Sequence, residues 1–169
     1  MINKITILLV LFSLFLVSCG KKKSKLFSLK DVEFNYEAPL YEGSNPAQHI
    51  VVVDLQAIFK DEFKEGMSVK HAVLKKAEVF AADSSGFDGI SSFVMSLAAD
   101  NAELKMQELA VINPLVKGSS SAILIPSSSA EATDYFAEKQ FYLILDVTLA
   151  KDLESNLKLK GDFEFELEY

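Results

Sequence analysis

The 169-residue sequence contains no arginine and no tryptophan, a single cysteine and two histidines. Without arginine, the chain has no guanidinium group to form bidentate hydrogen bonds with phosphate or carboxylate. With one cysteine, it can form neither an internal disulfide nor a cysteine-based metal site. The protein must therefore be stabilised by its hydrophobic core, and half of its residues are hydrophobic, including 13 phenylalanines.

Basic residues are also scarce over most of the chain. Five of the 17 basic residues, all of them lysine, precede Leu26, whereas all 24 acidic residues follow it. The segment from Leu26 onward therefore has 12 lysines and a formal charge of −12. Because nucleic-acid binding requires a cationic surface, this charge argues against nucleic acid as a partner.

Motifs that carry catalysis or cofactor binding are missing. The sequence has no G-x-S-x-G and no glycine-rich phosphate loop, and its serines cluster in loop-like stretches. His49 and His71 have no second ligand at close spacing, and Asp54 lies on the opposite face from His49 if both are in one strand. The sequence therefore predicts no enzyme activity, no cofactor and no metal site.

Two weaker candidates favour structural roles. Asp83, Ser85 and Asp88 offer oxygen ligands in a glycine-containing loop, but only the first position matches a calcium-binding EF-hand loop, so a capped turn is favoured. Asp146 is an acid within an apolar strand, and we expect its side chain to face water. The tyrosines could form a platform for sugars or peptides, but aromatic residues at strand spacing favour a core: Tyr36, Tyr41, Tyr135, Tyr142 and Tyr169.

Residues 1–18 have the parts of a secretory signal peptide. Lys4 supplies the positive charge, and residues 5–17 form an apolar stretch interrupted by Thr6 and Ser13. A membrane-spanning helix needs about 20 apolar residues, so this stretch is too short to be a comfortable span.

The junction Leu16-Val17-Ser18-Cys19-Gly20 resembles the lipobox of bacterial lipoproteins. The resemblance implies transfer of diacylglycerol to the Cys19 thiol, cleavage before Cys19 and acylation of the new amino group, for example with palmitate. A single acyl chain holds a protein only marginally, whereas two or three chains hold it stably. The expected partner of this segment is therefore the membrane.

The residues after Cys19 bear on location. In lipoprotein families an Asp directly after the cysteine signals retention in the inner membrane, so Gly20 favours the outer membrane. Surface display is associated with acidic residues just after the cysteine. The residues here are basic instead, which favours the periplasmic face: Lys21, Lys22, Lys23 and Lys25. We interpret residues 19–30 as a lipidated, lysine-rich tether.

Alternation of apolar and polar residues predicts strands in most of the remaining chain, residues 31–169. Pro39 to Pro46 is predicted as a loop, Ile50 to Leu55 as a buried strand and Lys60 to Ser68 as a helical turn. A second helical turn is predicted after a Ser129 cap. The other predicted strands are Val32–Glu37, Val73–Ala81, Ser92–Ala99, Leu104–Ala110, Ala122–Ile125, Phe141–Ala150 and Lys158–Tyr169. The last of these is predicted to be either a half-exposed edge strand or a strand with one wet face.

Seven to nine strands with one or two short helical turns predict an all-β fold, an antiparallel β-sandwich of immunoglobulin-like or jelly-roll type. The strand rhythm resembles small β-sandwich lipoproteins of unknown function from Bacteroidota-type bacteria. This resemblance implies no functional residues.

Three functions are compatible with these patterns. The first is a lipid-anchored, non-enzymatic binding or structural module of the cell envelope. The second is an envelope enzyme that acts on glycans through converging carboxylates. The third is an accessory subunit of an outer-membrane assembly, with a protein partner bound along an exposed edge strand such as Lys158–Tyr169.

The lipobox predicts the effect of one substitution. Cys19→Ser removes the acceptor thiol, so the protein should move from the membrane fraction to the soluble fraction when cells are fractionated. Ser18→Ala keeps a lipobox-compatible residue and should leave the protein in the membrane fraction. Unchanged membrane association of the processed Cys19→Ser protein would contradict lipidation.

Overall fold

The computed structural model describes residues 23–82, 86–127 and 131–169, and the predicted signal peptide and Cys19 lie outside these ranges. The described chain forms eight strands and three short helical segments. The strands are β1 (Ser24–Tyr36), β2 (Gly43–Val52), β3 (His71–Ala81), β4 (Ile90–Ala98), β5 (Gln107–Ile112), β6 (Ser121–Pro126), β7 (Gln140–Leu149) and β8 (Leu157–Glu168). The helices are α1 (Leu55–Phe59), a 3₁₀ turn (Lys60–Glu62) and α2 (Thr133–Ala137).

The strands pair in a nested antiparallel pattern. β1 pairs with β8, β2 with β7, β3 with β6 and β4 with β5, as if one long hairpin had been rolled up. Further pairs, β3 with β8 and β4 with β7, join the rolled hairpins into two four-stranded layers. This nested order is that of a jelly roll, so the all-β antiparallel prediction is confirmed.

The two layers are connected along one side. A short pairing of β5 with β6 gives the continuous order β1-β8-β3-β6-β5-β4-β7-β2. The two end strands, β1 and β2, contact each other, but no ladder is formed between them in the described chain. The sheet therefore almost closes on itself around a single core.

Alternation along each strand places one apolar face inside. In β7, the residues Phe141, Leu143, Leu145, Val147 and Leu149 are all buried, as the sequence predicts. Phe136 on α2 closes one end of the core, with ring centroids 5.7 Å from Phe27 on β1, 5.3 Å from Phe141 on β7 and 5.4 Å from Phe165 on β8. One helical side chain thereby contacts both layers.

Tyr36 forms a polar link across the core. Its buried hydroxyl donates to the carbonyl oxygen of Leu145 at 2.8 Å, which connects β1 in one layer to β7 in the other. Burial raises the pKa of Tyr36, and the negative charge of Asp146 raises it further. The phenol is therefore held in its neutral, hydrogen-donating form.

A bulge interrupts β1 opposite Gly161 of β8. Asp31 has a positive φ of 52°, and the register with β8 shifts between Leu29 and Val32. The Asp162 carboxylate accepts a hydrogen bond from the backbone N–H of Asp31 at 3.0 Å and one from the Lys30 ammonium at 3.1 Å. These contacts lower the pKa of Asp162, the Asp31 N–H being the larger cause, so the ionised carboxylate holds the bulge.

Several predicted boundaries are wrong. Strand β1 begins at Ser24 and pairs with β8 from there, so residues 24–30 are not a tether. The predicted loop from Pro39 to Pro46 ends earlier, because β2 begins at Gly43 and includes Pro46. Proline is compatible with this position because β2 is an end strand of the sheet.

The structure contradicts the predicted environment of one strand and decides between the two predicted for another. The run from Ile50 was expected to be a buried strand, but Val51 is its buried residue within β2, and Val52 is 69% exposed. The final strand, β8, is paired on both sides, with β1 and β3. The edge-strand interpretation is therefore wrong and β8 offers no free edge for a partner, whereas the alternative, a strand with one wet face, is confirmed.

Gly161 occupies a place in β8 where a side chain would not fit. A Cβ atom there would lie 2.5 Å from Cζ and 2.7 Å from Cε2 of the buried Phe163 ring. Gly161→Ala should therefore lower the free energy of unfolding by about 1–3 kcal/mol, because the added methyl group overpacks the core. Urea denaturation measures this change.

The matched control combines this change with Phe163→Leu, which removes the ring that the added methyl group would strike. The double variant should lose clearly less stability than the sum of the two single variants. Additive losses would show that the Phe163 ring is not what requires glycine.

Candidate functional site

A groove of about 660 Å³ lies on the outer face of the layer formed by β2, β7, β4 and β5. This volume is within the range of small-molecule sites. Four strands thus contribute to one concave surface. The lining residues are Ser44, Pro46, Ala47, Gln48, Val94, Ser96, Met106, Glu108, Ile144 and Asp146.

The groove follows from the alternation that builds the core. In β7, the residues between the buried ones point outward, and Ile144 and Asp146 are two of them. Cross-strand register places Val94 of β4 opposite Asp146 and Ser96 of β4 opposite Ile144. Ser96 is buried despite its outward position, so the small β4 side chains form the floor of the groove.

Asp146 is the unusual residue of this surface. Its Oδ2 accepts a hydrogen bond from the Ser44 hydroxyl at 2.6 Å. Its Oδ1 is buried and has no hydrogen-bond partner among the described residues. In register, Asp146 is flanked by Val94 on β4 and Pro46 on β2, neither of which has a side-chain donor. One buried oxygen atom of the groove, Oδ1 of Asp146, therefore receives no hydrogen bond from the described residues.

The charged groups that line the groove are both acidic. Asp146 and Glu108 are carboxylates, and no lysine or histidine lies among the described lining residues. The uncharged lining residues are of two kinds: Ser44, Gln48 and Ser96 are polar, and the apolar ones are Pro46, Ala47, Val94, Met106 and Ile144. This arrangement can bind a molecule that has an apolar part and a hydrogen-bond donor.

The two histidines do not lie in the groove. His49 is half-buried on β2, where it pairs in register with Leu143. His71, at the start of β3, has Nδ1 2.8 Å from Oε1 of Glu131. The Thr133 hydroxyl donates to that same Glu131 oxygen at 2.7 Å, and these contacts, Thr133 first, lower the pKa of Glu131.

This His71 cluster is not arranged for nucleophilic catalysis. A triad requires the nucleophile to be hydrogen-bonded to the histidine, whereas the Thr133 hydroxyl is bonded to the carboxylate. Thr133 also accepts a hydrogen bond from the backbone N–H of Ala72 at 2.9 Å. The cluster therefore fixes the segment before α2 against β3.

Other candidate residues have structural roles or lie outside the described ranges. Asp54 caps α1, where its carboxylate accepts a hydrogen bond from the Ala57 N–H at 3.0 Å. Asp83, Ser85 and the Ser129 cap are outside the described residues, as is Cys19. Within the described ranges, no three His, Cys, Asp or Glu side chains are grouped to hold a metal ion, and no helix has the length and apolar character for a membrane crossing.

The tyrosines are dispersed. Tyr36 and Tyr135 are buried, and Tyr142 donates from the outer face of β7 to Asp100 at 3.0 Å. Tyr169 donates to Glu62 and its ring contacts Phe59. Tyr41 is exposed, and none of the five tyrosines is among the described lining residues, so they supply no aromatic platform in the groove.

The sequence located Asp146 on the outer face but missed the groove. The expectation that its side chain faces water is wrong for Oδ1, which is buried. The indication that the sequence offered was a single acidic residue within an otherwise apolar strand. Its environment depends on Ser44 and Pro46 of β2 and on Val94 of β4, which lie far from Asp146 along the chain and become its neighbours only through the register.

Comparisons with known proteins identify no family. No protein-family model matches the sequence, and no curated protein matches it. Similar solved structures include chains of Desmodium yellow mottle tymovirus, at 14% identity and a TM-score of 0.27 over 86% of this chain and 88% of that one, and of turnip yellow mosaic virus, at 10% identity and a TM-score of 0.27 over 90% and 85%. With TM-scores this low, the similarity supports no conclusion about function.

Because Oδ1 of Asp146 is buried without a hydrogen-bond partner, we expect replacement of this carboxylate by an apolar side chain to stabilise the protein. A buried acceptor without a donor costs about 1–3 kcal/mol, so Asp146→Val should raise the free energy of unfolding by about 1 kcal/mol in urea denaturation. Thr148→Val, at the next outward position of β7, is the matched control and should change it by less than about 0.5 kcal/mol. A loss of stability in Asp146→Val would contradict the assignment.

Proposed function

We propose that this chain is a lipid-anchored protein of the bacterial cell envelope whose jelly-roll domain is a non-enzymatic binding module. The proposed attachment is through Cys19 to the outer membrane, on the periplasmic face. The lipobox-like junction at Leu16 to Gly20 supports the anchoring. The binding site we propose is the groove over Asp146.

One observation carries the binding proposal. The groove combines a volume of about 660 Å³ with a buried carboxylate oxygen that no described residue satisfies. Buried polar atoms in proteins are nearly always hydrogen-bonded. A buried acceptor without a partner beside a concave surface is therefore more readily explained by a ligand that supplies the donor, after the side chains covering the oxygen move, than by stability of the fold.

A binding module is favoured over a glycan-acting enzyme by the lining of the groove. Two carboxylates are present, Asp146 and Glu108, as a glycosidase would require. However, no aromatic side chain is among the described lining residues, so a sugar ring has no surface on which to stack.

Occupancy of the groove can be tested with N-phenyl-1-naphthylamine, a neutral apolar dye that fluoresces on leaving water. The protein would be the full chain with Cys19→Ser, which lacks the lipid acceptor. Gln48→Phe places a ring at the exposed rim of the groove and should lower the saturating fluorescence at least twofold. The rim position is chosen because an exposed strand residue tolerates an aromatic side chain.

Lys75→Phe is the matched control, since Lys75 is an exposed position of β3 in the other layer. It should leave the dye signal unchanged. Equal signals from both variants, or no dye binding to the parent chain, would contradict the groove as a binding site.

A further inference from the structure

We infer that the groove binds a primary ammonium group carried on a small apolar body. This inference rests on the proposed binding function of the groove and specifies the class of ligand. It follows from three properties of the described lining. Oδ1 of Asp146 accepts no hydrogen bond, the two charged residues are both carboxylates, and several of the other lining side chains are apolar.

The hydrogen-bonding pattern at Asp146 defines one requirement. Oδ2 already accepts the Ser44 hydroxyl at 2.6 Å, whereas Oδ1 has no partner among the described residues. A carboxylate only accepts hydrogen bonds, so the ligand atom that completes this site must be a donor. A ligand carboxylate or phosphate cannot satisfy Oδ1.

Charge distinguishes an ammonium from a neutral donor. Glu108 is the second charged residue of the lining, and no basic residue is among the described residues there. The surrounding segment from Leu26 onward has 12 lysines against 24 acidic residues, so the general field is negative as well. An ammonium gains both a charge-assisted hydrogen bond and this attraction, whereas a hydroxyl gains only the neutral hydrogen bond.

The walls define the rest of the ligand. Val94, Met106 and Ile144 provide apolar surface beside the carboxylate. Met106 is 67% exposed, and its unbranched side chain can adapt to ligands of different shape. The ligand therefore combines an ammonium head near Asp146 with an apolar part against these side chains.

Because Oδ1 is buried in this conformation, the ammonium must displace the side chains that cover it. Ser44 and Gln48 are exposed residues of β2, an end strand of the sheet. An end strand has a ladder on one side only, and its outward side chains can change rotamer without disturbing the core. Rotamer changes of Ser44 and Gln48 would widen the groove beside Asp146 and leave the β4 residues in place.

The test compares three probes of equal chain length, n-butylamine, n-butanol and butyrate, titrated into the full chain with Cys19→Ser. Methyl NMR shifts of Val94, Met106 and Ile144 report binding in the groove. The amine should bind at least tenfold more tightly than the alcohol, and butyrate should bind most weakly. Asp146→Asn keeps the shape and removes the charge, and it should bring the amine and the alcohol within twofold of each other.

Glu65→Gln is the matched control, because it removes one exposed carboxylate outside the groove. It should preserve the preference for the amine. Equal affinities of amine and alcohol in the parent chain, or an unchanged preference in Asp146→Asn, would overturn the ammonium assignment while leaving the groove as a binding site. Absence of shifts at all three methyl-bearing residues with every probe would overturn the binding function itself.

Discussion

Burial of one apolar face by every strand is the constraint on which the rest of the molecule depends. The two layers can shield these faces only against each other, and large side chains such as Phe34, Phe163 and Phe165 fill the space between them. Phe136 closes one end by contacting both layers. The outer faces of the layers do not have to be apolar, and the groove lies on the outer face of the layer formed by β2, β7, β4 and β5.

The sequence predicted what local alternation controls. In β7 the buried and outward positions alternate without interruption, so its inner face and the outward direction of Asp146 could both be read directly. It could not reveal which strands would lie at the ends of the sheet. The β-branched run at Ile50 to Val53 suggested burial, whereas β2 is an end strand. The alternating charges of β8 fitted both an edge strand and a strand with one wet face, and only the pairing on both sides shows that it is the second.

The groove was beyond prediction for a related reason. Asp146, Ser44 and Val94 come from three strands, and their contact is a property of register. A shift of one residue in either pairing would turn different side chains toward Asp146. The lack of a donor for Oδ1 among the described residues is therefore information that exists only in the folded chain, whereas the lipobox-like segment is read from adjacent residues and needs no fold.

The pairing of β1 with β8 also has a consequence for the order of events in biosynthesis. Ser24 pairs with Glu168, so β1, the first of the described strands to be synthesised, cannot pair until β8, the last of them, has been made. Folds dominated by such distant contacts form slowly, and incomplete sheets expose strand edges and apolar surface that promote aggregation. A chain that stops before β8 therefore leaves β1 without a partner strand and β3 paired with β6 alone.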